Sequence, residues 1–235
     1  MAVSVDRVYQ TVLALANKEQ RGYITPQEFN LFANHAQNEI FEQYFYDLNQ
    51  FLRAPVGNKT GSSDLRDATE EKISAFRKTN VDGGNYSLPN DMHKLESLQA
   101  RFGSETGAVY YPAEEVSKKE YDMYEQAALT RPSFKRPVFY RYANSFVLSP
   151  PDVWGAFRFD YIKKPNPPNW TYIIINDQAL WNPGAGDKRD FELHPSEEKN
   201  LVMKILALAG VAIKDLTLAQ AAAGKEASYL QQEKS

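Results

Sequence analysis

Apolar residues recur at helical spacing through the first fifty positions. Val5, Val8, Val12 and Leu15 share one face of a helix ending near Asn17. Thr25-Pro26-Gln27-Glu28 then reads as a capping box, with Thr25 at the N-cap, Pro26 in the first helical position and Glu28 reaching back. Behind it Phe29, Phe32, Ala33, Ala36, Ile40, Tyr44 and Leu48 form a sustained stripe that runs to about Leu52, before Pro55 stops it. At roughly 1.5 Å per residue this second helix spans about 40 Å, and the first two helices are expected to pair antiparallel.

Residues 56–63 (VGNKTGSS) read as a polar loop, with Ser63 capping a third helix over 64–78. Asp82-Gly83-Gly84-Asn85 is a strong turn signal. Met92, Leu95 and Leu98, each three residues apart, predict a shorter helix over 89–99. A strand is expected at 108–111, and Ser117-Lys118-Lys119-Glu120 is a second capping box opening a helix to about Leu129.

From Arg136 the texture changes. Val138, Tyr140 and Tyr142 alternate with Phe139 and Arg141, and 146–148 and 156–162 continue the strand character. The stretch KKPNPPNW at 163–170 holds too much proline for a central strand and predicts an exposed extended segment or sheet edge. Residues 172–175 make a last short apolar strand. Helix returns after His194-Pro195-Ser196-Glu197, with Leu201, Ile205 and Leu208 on one face. Residues 217–235 are alanine-rich, expected to be helical, and too poor in apolar surface to be held in place alone.

The fold class this predicts is α+β: a mostly helical bundle over 1–132 with a short strand near 108–111, an antiparallel β insertion over 133–192, and C-terminal helices over 193–235 returning to the bundle. The last part, 217–235, is expected to be a tail that docks on a partner.

Composition sharpens the picture in two places. Aromatic residues make up 13% of the 235, dominated by tyrosine and phenylalanine, which suits either an aromatic core or a protein of many contacts. The net charge is −3 with no long basic stripe, which argues against sequence-independent gripping of nucleic-acid phosphates. There is no cysteine, so disulfides, thiolate nucleophiles and sulfur-based zinc sites are excluded. The N-terminal residues carry Asp6 and Arg7 without an apolar core, so no signal peptide is expected. No apolar run is long enough for a membrane span, and a soluble protein made in a cytoplasm is expected.

Candidate chemistry is sparse. His35 lies within the second helix and is read as a solvent or interface residue, Asp91 and His93 are two apart and cannot share a metal on a helix, and His194 reads as an N-cap. No HExxH, GxSxG or phosphate-binding glycine fingerprint occurs, and Gly184-Ala185-Gly186 leads into Asp187-Lys188-Arg189-Asp190 rather than a helix start. Asn80-Val81-Asp82-Gly83-Gly84 lacks the later ligands of a calcium loop and reads as a plain turn. Glu114-Glu115 and Glu197-Glu198 are adjacent carboxylates at element starts. No catalytic residue, metal or cofactor is therefore assigned. A carboxylate-based hydrolase of cell wall is the enzymatic alternative.

The stretch LANKEQRGYITPQEFN (15–30) followed by AQNEIF (36–41) resembles the opening helices of virion structural proteins in crAss-like and related short-tailed bacteriophages. SLPNDM (87–92), YIKKP (161–165) with Trp170, and HPSEE (194–198) fit the same resemblance, which touches most of the chain. Its motifs are structural rather than catalytic. The resemblance implies a neck component similar to head–tail adaptor or ring proteins, present in many copies below the portal and forming a conduit for genomic DNA without sequence-specific binding. The partners implied are further copies of the chain in a ring such as a dodecamer, the portal protein and other neck or tail ring proteins. Twelve copies would carry a total of about −36 (12 × −3). The tail residues Leu216, Leu218, Tyr229 and Leu230 are candidates for docking on the portal. Tyr161, Lys163, Lys164 and Trp170 are candidates for an inter-subunit surface. A peripheral tail or capsid component engaging another protein through the aromatic β region is the alternative.

Overall fold

The computed structural model describes residues 2–18, 24–53, 59–83, 86–102, 109–151 and 156–212. In chain order these form α1 (Val5–Lys18), α2 (Pro26–Arg53), α3 (Lys59–Ser74), β1 (Arg77–Gly83), β2 (Met92–Phe102), β3 (Val109–Glu115), α4 (Lys118–Gln126) and β4 (Val138–Tyr142). They continue with β5 (Ser145–Ser149), β6 (Phe157–Lys163), β7 (Tyr172–Ile175), β8 (Gln178–Trp181), a 3-10 turn (Pro195–Glu197) and α5 (Glu198–Ala212). The chain divides into two compact units: a helical unit, Met1–Ala75 with Pro165–Ser235, and a sheet unit, Phe76–Lys164. No helix among the described residues is long and apolar enough to cross a membrane.

In the helical unit, α1 buries Val5, Val8, Tyr9, Val12 and Ala16, α2 buries Phe29, Ala33, Ala36, Ile40 and Phe41, and α5 buries Leu201, Val202, Ile205, Leu206 and Ala209. Helix α5 packs on both α1 and α2, and α3 packs on α2. Helices α1 and α2 touch through Tyr9 and Phe29, ring centroids 4.7 Å apart, so α5 is the partner they share. Leu15 is exposed, and Ala16 holds the inward position instead. Both capping boxes form. Glu28 Oε2 accepts from the Thr25 amide at 2.9 Å while Thr25 Oγ1 accepts from the Glu28 amide at 3.3 Å, and Ser117 with Glu120 does the same ahead of α4. The hydrogen bonds from the Thr25 side chain and backbone hold the Glu28 carboxyl below its ordinary range.

The sheet unit overturns the expected fold class. The chain is not a mostly helical bundle but mixed α/β: the described residues hold five helices, a six-stranded mixed sheet and a two-stranded sheet. Six strands lie in the order β1-β6-β2-β3-β4-β5, and the β3–β4 pairing is parallel, so the sheet is mixed rather than an antiparallel insertion. Its core is Leu88, Leu98, Ala100, Phe102, Phe139, Phe146, Leu148, Phe157, Phe159 and Tyr161. Phe146 stands edge-on to Phe157, with centroids 4.8 Å apart at 89°, a favoured aromatic geometry.

The helix expected at 89–99 is the strand β2, for a physical reason. Its register against β6 pairs Met92 with Lys163, Leu95 with Tyr161 and Leu98 with Phe159, with shifts between Met92 and Lys94 and between Leu95 and Ser97. Each shift is a β-bulge that inserts one extra residue into β2. Apolar residues three apart on β2 thus stand opposite residues two apart on β6, on one face of the sheet. A bulged strand has the spacing of a helix, and pairing with β6 decides between them.

Strand β1 is bulged as well. Lys78 pairs with Tyr161 and Val81 with Phe159, and Asn80 within the bulge has φ 53°. The carboxylate of Asp160 ties both bulges to the central strand, accepting from the Asn80 amide at 2.8 Å and from the Ser97 hydroxyl at 2.6 Å. Of the turn expected over 82–85, Asp82 and Gly83 end the edge strand β1, and Gly84 and Asn85 lie outside the described residues. Gly83 is required there by a close approach: a Cβ would lie 2.3 Å from the buried Phe159 ring.

Candidate assembly surface

The proline-rich segment that leads into β7 cannot donate backbone hydrogen bonds at Pro165, Pro167 or Pro168. Side chains of α2 and of a loop before α5 hold it instead. The buried Gln37 amide donates to the Asn166 carbonyl at 2.7 Å and accepts from the Glu192 amide at 3.1 Å. Glu192 in turn accepts from the Asn166 backbone amide at 3.0 Å and from its side-chain amide at 2.9 Å. Asn30 Oδ1 accepts from the Trp170 amide at 2.8 Å, and Asn30 Nδ2 donates to Asn169 Oδ1 at 3.0 Å.

Trp170 ends this strap and is the foundation of the β7–β8 ribbon. It is 1% exposed and its indole N–H donates to Asp6 at 2.9 Å. Tyr9 packs on the ring with centroids 4.1 Å apart. Tyr172 and Trp181 stack on it at 5.9 Å and 5.5 Å, and these two are the cross-strand pair at the ribbon's base.

The ribbon itself is two-stranded. Asn176 and Asp177, at φ 51° and 59°, form its tip, the positive-φ pair that a two-residue hairpin turn demands. Ile173 stands opposite Leu180 and Ile174 opposite Ala179. Neighbouring residues on a strand point to opposite faces, so Ile173 and Leu180 lie on one face and Ile174 on the other. All three are exposed, Ile174 to 70%, and Ile175 beside the tip is exposed too. A two-stranded ribbon is marginal by itself. This one is anchored at its base by aromatic stacking and presents aliphatic side chains on both faces beyond it.

Beside the strap, an open groove of about 550 Å³ is lined by Asn30, Leu31, Asn34, Pro167, Pro168, Asn169, Asp187 and Arg189. Leu31 and the prolines make an apolar wall, and Leu31 is 55% exposed. Asp187 is engaged by Asn169 Nδ2 at 3.2 Å. Arg189 makes no ion pair among the described residues.

Two of the residues expected on an inter-subunit surface are interior. Trp170 anchors the ribbon, and Tyr161 is 2% exposed in the sheet core; in both cases proline and lysine neighbours mask an inward-facing ring. Lys163 is half-buried and Lys164 exposed at the end of β6. Tyr161, Lys163 and Lys164 belong to the sheet unit and Trp170 to the helical unit. Leu216, Leu218, Tyr229 and Leu230 lie outside the described residues. Neither strand β8 nor the groove is foreseen from the sequence. Asn176-Asp177, two residues tolerant of positive φ after an apolar strand, is the available signal for the hairpin.

Tyr161 does take part in a polar cluster at the rim of the sheet. Its hydroxyl donates to Asp91 Oδ1 at 2.9 Å, while Lys78 Nζ lies 2.6 Å from Asp91 Oδ2. Burial raises the Tyr161 pKa. Burial also works against ionising Asp91, but hydrogen bonds from Lys78 and Tyr161 outweigh it and the Asp91 pKa is lowered. An acid lowered in the folded state stabilises above its unfolded pKa, about 3.9, and that stability is lost as pH falls below it. Thermal melts of wild type and Asp91→Asn are expected to differ most near pH 6, and the difference to shrink progressively as pH falls below about 3.9. A difference that stays constant down to pH 3 would show that the ionised carboxylate contributes nothing.

A second cleft, of about 580 Å³, lies in the sheet unit against the start of α4, with Glu115, Lys118, Arg141 and Lys164 among its lining. Arg141 pairs with Glu115 at 2.6 Å and Lys118 pairs with Asp122, so two of its three cations are already engaged. Among the described residues no three His, Asp or Glu side chains converge as a metal site. No family model matches this chain, and no curated protein is detectably similar to it.

Proposed function

We propose that this chain is a non-catalytic structural subunit of a bacteriophage virion, assembling with copies of itself into a ring of the neck below the portal, where it forms part of the conduit for DNA. The observation that carries the reading is the β7–β8 ribbon, with Ile173, Ile174, Ile175 and Leu180 exposed on an anchored two-stranded sheet. Exposed aliphatic side chains grouped on one anchored element support a contact with another protein. The resemblance of residues 15–30, 36–41, 87–92, 161–165 with Trp170, and 194–198 to virion structural proteins of short-tailed bacteriophages supplies the setting. A ring needs two different surfaces on each subunit, which a helical bundle is not required to provide.

The carboxyls held below their ordinary range all sit in contacts that start or brace an element. The lowered carboxyls of Glu28 and Glu120 are helix caps, and Asp91 is held by Lys78 and Tyr161 at the sheet rim. Each of these shifts is accounted for by a local structural contact.

Mass photometry and electron microscopy of the purified full chain test the proposal. A closed ring of about twelve copies of 26.7 kDa would appear near 320 kDa. A protein that stays monomeric up to 100-fold above its working concentration (about 1 μM) and is missing from purified phage particles would overturn it.

A further inference from the structure

We infer that the tip of the β7–β8 ribbon of one copy seats in the α2 groove of the next copy, head to tail, with Asp177 of the ribbon facing Arg189 of the groove. This rests on the assembly reading above and names the contact that would build it.

Three observations converge. The ribbon carries exposed aliphatics on both faces, Ile173 with Leu180 on one and Ile174 on the other, so a flat neighbour would cover only half of them. A groove covers both faces at once. The groove offers the matching chemistry, with Leu31, Pro167 and Pro168 as an apolar wall and a volume of about 550 Å³, room for a hairpin tip.

Charge supplies the direction. Asp177 at the tip and Arg189 in the groove make no ion pair among the described residues, and Asp177 is exposed. The groove also carries Asp187, which accepts from the neutral Asn169 side-chain amide and keeps its own charge, so Arg189 is the one groove residue that can attract Asp177. An unpaired anion on the projecting element and an unpaired cation in the recess are complementary between copies, and such pairs set orientation and exclude wrong registers. Knob and groove are different surfaces, so their pairing is heterologous and propagates to a third copy, as ring closure requires.

Charge reversal and crosslinking on the full chain test this. Asp177→Arg and Arg189→Asp are each expected to weaken assembly about tenfold or more in mass photometry, and the double variant to restore it. The chain has no cysteine, so Ile174→Cys and Leu31→Cys can be introduced cleanly. Mixed and oxidised, the two single-cysteine proteins should form a crosslinked pair, whereas each alone should not. Single reversals that assemble like wild type would overturn the ribbon–groove contact and leave the assembly reading standing. Efficient crosslinking of Ile174→Cys to itself, or a particle that stops at two copies, would overturn the head-to-tail arrangement. A wild type that never assembles would remove both.

Discussion

Trp170→Ala is expected to destabilise the helical unit by about 3–5 kcal/mol, the range for truncating a buried aromatic. The ring is 1% exposed and meets Tyr9, Tyr172 and Trp181, so its removal opens a cavity no single neighbour can fill. It also leaves the part-buried Asp6 carboxylate without the indole donor it holds at 2.9 Å, a smaller further cost because water can reach the carboxylate. The ribbon loses its foundation in the same step, because both residues of its basal pair stack on this ring. Urea unfolding of Trp170→Ala and Trp170→Phe measures the two contributions: phenylalanine keeps most of the packing and should recover more than half of the loss. A loss under about 1 kcal/mol for the alanine variant would mean that the aromatic stack does not hold the ribbon.

Lys72→Met is expected to cost about 3–5 kcal/mol, for a different reason. Lys72 Nζ lies 2.8 Å from Glu197 Oε1, with the two side chains only 17% and 4% exposed, and Asn200 Nδ2 donates to the other oxygen of Glu197 at 3.1 Å. The pair ties α3 to the start of α5. Removing the cation alone strands a carboxylate out of water, which is worse than removing the pair. The double variant Lys72→Met with Glu197→Gln should therefore regain most of the stability lost in the single one. A double-mutant cycle by urea unfolding reads the coupling directly. Additive losses, with no recovery in the double variant, would mean that the Glu197 charge is not what the lysine compensates.

The candidate surface shows how unevenly the sequence speaks. Residues 172–175 are recognisable as an apolar strand from composition, and Trp170 stands out beside its prolines. Whether Trp170 faces inward is invisible locally, because its burial comes from Tyr9 and Asp6, about 160 residues away in the chain. The groove is assembled from Asn30, Leu31 and Asn34 on one stretch of helix and Pro167 to Arg189 far downstream, and no window of sequence contains both halves.

Elements with local signals are legible from the chain alone: α2 with its capping box and full length, α4 behind Ser117 and Glu120, the His194 cap ahead of α5, and the strands from Val138 to Ile162. In those cases the bonds that start the element, or the alternation that defines it, join residues a few positions apart. Strands β1 and β2 depend on the assembled fold. The spacing of three in β2 is neutral between a helix and a bulged strand, and β1 is a mostly polar edge with Val81 its main apolar anchor. Pairing with β6, 57 to 85 residues later, satisfies their backbones and turns Met92, Leu95 and Leu98 onto one face. That energy exists only once the distant strand arrives, so the mixed sheet could not be read from the segments that join it.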